Sequence, residues 1–181
     1  MRNPEGTVFL SRGRICTAAL ARPSACGQNN GAEAAGPKML SHKARYALRA
    51  LVELAREPTG QVTAGELAVR ADAPRKFLEA ILLELARRHI TVSRRGKFGG
   101  YALARAPADI SFAEVIRVID GPLALAPCVS KTAFRKCDDC PDLATCSIRE
   151  ALMRARDATA SVLEGYTLAD AVHQEGSAAR P

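Results

Sequence analysis

Thr63-Ala-Gly-Glu66-Leu-Ala-Val-Arg-Ala-Asp-Ala-Pro74-Arg-Lys-Phe-Leu-Glu-Ala-Ile-Leu-Leu-Glu-Leu85 carries two helical patterns separated by a turn. Thr63 with Glu66 three residues later is a capping box, and Leu67, Ala68 and Ala71 supply the apolar stripe behind it. Asp72-Ala-Pro74 interrupts the pattern. From about 74 to 88 the residues Phe77, Leu78, Ile81, Leu82 and Leu85 then form a second stripe. Two short helices joined by a tight turn are the helix-turn-helix arrangement, whose second helix lies in the DNA major groove.

The flanks extend this reading. Upstream, Ala44, Ala47, Leu48, Leu51, Leu54 and Ala55 recur at three and four, so an amphipathic helix is expected from Ser41, its N-cap, to Arg56, stopped before Pro58. Downstream, Ile90-Thr-Val-Ser93 and Tyr101-Ala-Leu-Ala104 are strand-like runs around Arg94-Arg-Gly-Lys-Phe-Gly-Gly100. They read as a β-hairpin wing with a basic, glycine-rich tip. A run of basic residues is ordinarily a solvated face. On a wing, Arg94, Arg95 and Lys97 would meet phosphates or a narrow minor groove. Gly96, Gly99 and Gly100 would let the backbone approach DNA, and no helix opens after them as a phosphate loop would need. A second capping box, Ser111 to Glu114, starts a helix that buries Phe112, Val115, Ile116 and Ile119 and stops at Asp120-Gly-Pro122.

The whole chain agrees. Its 181 residues allow one ordinary domain with extras, and a net charge of +7 points to an anionic partner, nucleic acid first. Aromatic residues are only 4% and tryptophan is absent, which suits a small Ala/Leu helical core better than a β-sandwich. No apolar run approaches the ~20 residues that span a membrane, so a cytoplasmic protein without a membrane partner is expected. Residues 1–38 are rich in Gly, Pro, Ala, Ser and Asn. They read as a disordered extension, or as upstream sequence translated from a misassigned start before Met39, and their Cys16 and Cys26 are set aside as ligands. His42, His89 and His173 lie far apart and form no Ser/His/Asp or Cys/His arrangement, so each is expected as a surface or cap residue and enzyme chemistry is not expected.

Cys128, Cys137, Cys140 and Cys146 are spaced C-x8-C-x2-C-x5-C within a segment that has little to bury. Four thiolates on a soft metal centre would hold such a loop. A zinc ribbon usually shows a second close pair, whereas an iron–sulfur cluster is looser about spacing. The loop alone leaves the metal open, beside a metal-free thiol pair and inert cysteines. After Cys146 a long helix is expected to about Glu164, with Ile148, Leu152, Ala155, Thr159, Val162 and Tyr166 on a short heptad seam. That seam suits packing against a twin helix in a dimer, or against its own domain. Gly165 ends the helix, and Thr167 to Val172 reads as one or two further turns before a frayed tail.

Met39-Leu-Ser-His-Lys-Ala-Arg-Tyr-Ala-Leu-Arg-Ala-Leu51, Lys76-Phe-Leu-Glu79, the stretch from Arg94 to Tyr101 and the downstream cysteines resemble, in this order, the bacterial winged helix-turn-helix regulators typified by IscR, NsrR and RirA. The resemblance runs from Met39 to Val172. It implies a mainly α fold, with a winged helix-turn-helix over 39–121, a cysteine-rich sensor loop over 122–146, a dimerisation helix and short terminal helix over 147–174, and a disordered tail over 175–181. It implies a homodimeric transcription factor, often a repressor, on a pseudo-palindromic operator in double-stranded DNA. A cluster in the loop would report iron, nitric oxide or redox state.

Carried across, the three cluster cysteines fall on Cys128, Cys140 and Cys146, and the DNA contacts on Lys76, Glu79 and Arg95. The sequence departs from the pattern where some members place a histidine three residues after the last cysteine, here Arg149. It departs again where others draw a carboxylate from the partner's first helix, here Lys43-Ala-Arg-Tyr46. The additional Cys137 is expected to fill that vacancy. A 2Fe–2S cluster is the expected group, with zinc or a metal-free thiol switch as the alternative.

Overall fold

The computed structural model describes residues 40–57, 61–94, 96, 99–140 and 142–178, the side chains of 175–178 excepted; the 1–38 extension lies outside them. Helix α1, His42–Arg56, opens where the Ser41 hydroxyl accepts the Ala44 N–H at 3.0 Å. The Asp120 carboxylate accepts in turn from the Ser41 N–H at 2.9 Å and from its hydroxyl. Ala44, Ala47, Ala50 and Leu51 of α1 are all fully buried. Three alanines let neighbouring backbones come close, and helices from both halves of the head and the second wing strand stack on α1.

Helices α2, Ala64–Arg70, and α3, Arg75–Arg87, form the helix-turn-helix. The Thr63 hydroxyl accepts the Glu66 N–H at 3.2 Å, while the Glu66 carboxylate turns to Arg70. Arg70 also donates to Glu57 at 3.0 Å, which fastens the end of α2 to the end of α1. Leu78, Ile81, Leu82 and Leu85 of α3 are fully buried. Phe77, expected on the same stripe, is instead 41% exposed and meets Tyr46 edge-on with ring centroids 6.0 Å apart. Adjacent helical residues point about 100° apart, so a stripe centred on Leu78 and Ile81 leaves Phe77 at its margin.

The end of α3 is a complete Schellman motif. His89 takes the left-handed position at φ 56°, its N–H bonds the Ala86 carbonyl, and the Ile90 N–H bonds the Leu85 carbonyl, both at 3.1 Å. His89 is therefore the cap residue that the sequence suggests.

Strands β1, Thr91–Arg94, and β2, Gly100–Leu103, pair antiparallel with Ser93 opposite Tyr101 and Arg94 opposite Gly100. On the far edge of β2, Val62 exchanges two backbone bonds with Tyr101, at 3.0 and 2.8 Å. The wing is thus tied to the start of the helix-turn-helix. Gly100 has a structural role beyond the one expected from sequence: a Cβ there would lie 2.6 Å from the Val62 carbonyl oxygen, so the glycine permits the wing's anchor.

Helix α4, Phe112–Ile119, is capped by the Ser111 hydroxyl and stops at Gly121, φ 89°. A 3-10 turn at Pro127–Val129 leads into the irregular cysteine segment, followed by helix α5, Arg149–Glu164. Helix α6, Leu168–Ala178, is longer than the one or two turns expected, so residues 175–178, placed in the tail by sequence, are helical. Tertiary contact explains the difference. Leu168 is fully buried and its N–H bonds the Ile110 carbonyl at 3.0 Å, while the Phe112 N–H bonds the Tyr166 carbonyl at 2.9 Å. Those bonds seat α6 on α1, where a short apolar pattern gains a core to pack on. The architecture is a mainly helical winged helix-turn-helix.

Candidate DNA interface and cysteine cavity

Helix α3 begins at Pro74, which supplies no side-chain cap, and has no acidic residue in its first turn. Its first N–H groups therefore lack a side-chain cap, and the positive dipole end lies beside exposed Arg75 and Lys76. Glu79 lies one turn on, and its carboxylate accepts from Arg75 Nε at 3.0 Å. A base contact by Glu79 has to compete with, or act together with, that pair. Arg75 was not singled out in the sequence, although a basic residue just after a proline that opens a recognition helix is a usable signal. Arg94 is exposed at the end of β1; Arg95 and Lys97 lie outside the described residues.

Cys128, Cys137, Cys140 and Cys146 all line one cavity of ≈ 380 Å³, walled on the α5 side by Ile148 and Leu152. All four are free thiols. Cys128 is the buried one, at 3% exposure. A hydrogen bond with Cys137, and then burial, push its thiol above the ordinary range. Burial pushes the Cys140 thiol up as well, followed by the charge of and a hydrogen bond with Cys146. Cys128 and Cys140 thus each lie within the influence of both Cys137 and Cys146. Among the described residues no three of His, Cys, Asp and Glu gather closely enough for one metal ion. Zinc would take four tetrahedral ligands and a 2Fe–2S centre four cysteines over two irons, and the four thiols lining one cavity are the donor type for either.

On α5 no residue is buried. Ile148 and Val162 of the expected seam are 63% and 69% exposed. Two other seam residues turn to their own chain: Leu152 lines the cysteine cavity, and Tyr166 meets Phe112 edge-on at 5.0 Å. A mostly apolar groove of ≈ 550 Å³ runs between α4 and α5, with Ile116, Ile119, Leu125 and Leu163 among its walls.

Residues 40–174 match the Rrf2 family, described as iron-dependent transcriptional regulator. An rrf2-like HTH-type transcriptional regulator of Rhodobacter capsulatus is 40% identical over 146 residues, covering 78% of this chain and 97% of that protein. The structure of CymR, the global cysteine regulator of B. subtilis, matches at TM-score 0.61 and 29% identity, covering 75% of this chain and 97% of that one. The structure of T. potens IscR matches at TM-score 0.63 and 25% identity, covering 79% and 92%. With the fold, the exposed α3 end and these relatives together, the chain belongs to the Rrf2 family and is a DNA-binding transcriptional regulator, not an enzyme.

Proposed function

We propose that the protein is a homodimeric repressor whose cysteine cavity holds a 2Fe–2S cluster and whose operator affinity follows the state of that group. The observation that carries this reading is the meeting of four free thiols on one cavity at the start of α5. The family's description as iron-dependent and the resemblance carried by Cys128, Cys140 and Cys146 support it, with Cys137 as the fourth ligand. When bound, such a cluster supplies a centre that oxidants and nitric oxide attack. The cytoplasm, which keeps thiols reduced, is the compartment that suits it; among the described residues no helix is long and apolar enough to cross a membrane.

The division of labour we infer is a head over 39–121, a sensor loop over 122–146 and a dimerisation helix within 147–174. Two α3 helices enter successive major grooves of a pseudo-palindromic operator, where Lys76 and Glu79 read base edges. Arg94, Arg95 and Lys97 hold the backbone or minor groove. Exposed Ile148 and Val162 and the α4–α5 groove supply apolar surface for the second copy.

Anaerobic purification with a visible spectrum and iron, sulfide and zinc analysis on one sample tests the cluster. Visible bands with matched iron and sulfide are the expected result. A colourless protein with stoichiometric zinc would remove the cluster and leave the DNA-binding assignment standing.

A further inference from the structure

Helix α5 buries no residue outright, yet the Arg156 side chain at its middle is only 10% exposed. Its guanidinium makes three bonds in two directions. Nη1 donates to the Val129 carbonyl at 2.5 Å, while Nε and Nη2 fork onto the Asp157 carboxylate at 3.0 and 2.7 Å. Lys131 Nζ reaches the same carboxylate at 2.8 Å. Val129 is itself buried and follows Cys128 directly, in the same 3-10 turn. The stem of Arg156 also walls the apolar groove beneath α4 of the head.

Both ends of the cysteine segment are thereby tied to α5: Cys146 just precedes it, and the Val129 carbonyl, in the turn that carries Cys128, is held at its middle. We propose that Arg156 is a positioning residue, a latch that fixes the Cys128–Val129 turn to α5 and transmits changes in the cysteine cavity to the placement of α5 against the head. This rests on the sensing function proposed above. Arginine suits the role because its planar fork meets a carboxylate and a carbonyl together, which a lysine ammonium does less well. Reciprocity holds as in any linkage: whatever strains the Cys128 turn weakens the latch, and whatever displaces α5 loosens Cys128.

The test is iodoacetamide labelling of the stripped full-length protein, followed cysteine by cysteine by mass spectrometry. Arg156→Met keeps the stem and removes the fork, Asp157→Asn removes the anchoring charge, and Arg156→Lys is the conservative rescue. If the latch governs local opening, Cys128 in Arg156→Met labels about tenfold faster than in wild type, with Cys140 and Cys146 within about twofold. Asp157→Asn and Arg156→Lys fall between. Cys128 as protected in Arg156→Met as in wild type, or all four cysteines accelerating together, would overturn the latch.

A second arm compares the operator affinity of loaded and stripped protein, where Arg156→Met is expected to shrink the wild-type ratio to under about threefold. An undiminished ratio in the variant would overturn the transmission. If Cys128 labels as expected while wild-type affinity ignores the cluster, the latch on Cys128 stands and the sensing function falls.

Discussion

Gly100→Ala puts a methyl group where the fold has no room. The new Cβ would sit 2.6 Å from the Val62 carbonyl oxygen, 2.9 Å from its carbon and 3.3 Å from the Thr63 nitrogen. These are backbone atoms, so no side chain can swing away, and β2 must part from Val62. The parting breaks both Val62–Tyr101 bonds, about 1 kcal/mol each net, and uncovers Val62, now 2% exposed. Exposing a valine side chain costs about 1.5 kcal/mol, the low end for apolar side chains. Replacing glycine stiffens the unfolded chain and returns about 0.4–1 kcal/mol. The net is a loss of about 2–3 kcal/mol, which for a domain of this size lowers Tm by about 6–12 °C. Far-UV circular dichroism melts and urea titration of the stripped protein measure it. Gly65→Ala is the control, because its Cβ meets only Arg75 Nη1 at 3.8 Å inside α2, where alanine is favoured by about 1 kcal/mol. A Gly100→Ala protein melting within about 2 °C of wild type would refute the claim that Val62 anchors the wing.

Further outcomes follow from single contacts. His89→Gly relieves a left-handed backbone position at φ 56° and is expected to stabilise the domain by about 0.5–1 kcal/mol; a lower urea midpoint would contradict it. Leu168→Ala empties a fully buried site where α6 meets the core, at a cost of about 2–5 kcal/mol, and an unchanged midpoint would show that α6 is not part of that core. Lys76→Ala should relax base preference at one operator position by about 1–3 kcal/mol, whereas Arg94→Ala should weaken all duplexes alike and flatten the salt slope; selection from random duplexes separates the two. The Asp157 carboxyl is held at about 2, below its ordinary 3.8, first by Arg156 and then by Lys131. Its folded-state pKa is depressed, so its contribution to stability is present above about pH 4 and is lost as pH falls through about 2. The Tm gap between wild type and Asp157→Asn should therefore be steady from pH 5 to 7 and close toward pH 2; a gap unchanged at pH 2 would contradict the ion pair.

The elements built on local chemistry were legible in the sequence. Ser41, Thr63 and Ser111 announce helix starts through their own hydroxyls, and the α3 stripe announces its buried face, because caps and periodicity act over a few residues. The features that depend on distant partners were not legible. Gly100 is required by Val62 across a sheet edge, and α6 is held by Ile110, so neither leaves a local signature. At the candidate sites, Lys76 and Arg94 are exposed and the four cysteines share a cavity. Arg156 escaped notice because Arg–Asp neighbours in a helix point about 100° apart. Its bond to the Val129 carbonyl spans a long stretch of chain and involves a backbone group that any residue carries. Phe77 shows the reverse error: a strong apolar residue next to a stripe was counted within it.

In the proposed function, the state of the cysteine cavity sets DNA affinity. Fluorescence anisotropy under anaerobic conditions, at one fixed salt concentration, measures it most directly on an operator selected by the wild-type protein, using cluster-loaded and stripped samples of one preparation. A coupling free energy typical of two linked sites predicts dissociation constants that differ by at least about fivefold. Constants agreeing within about twofold, with iron and sulfide confirmed in the loaded sample, would contradict the account.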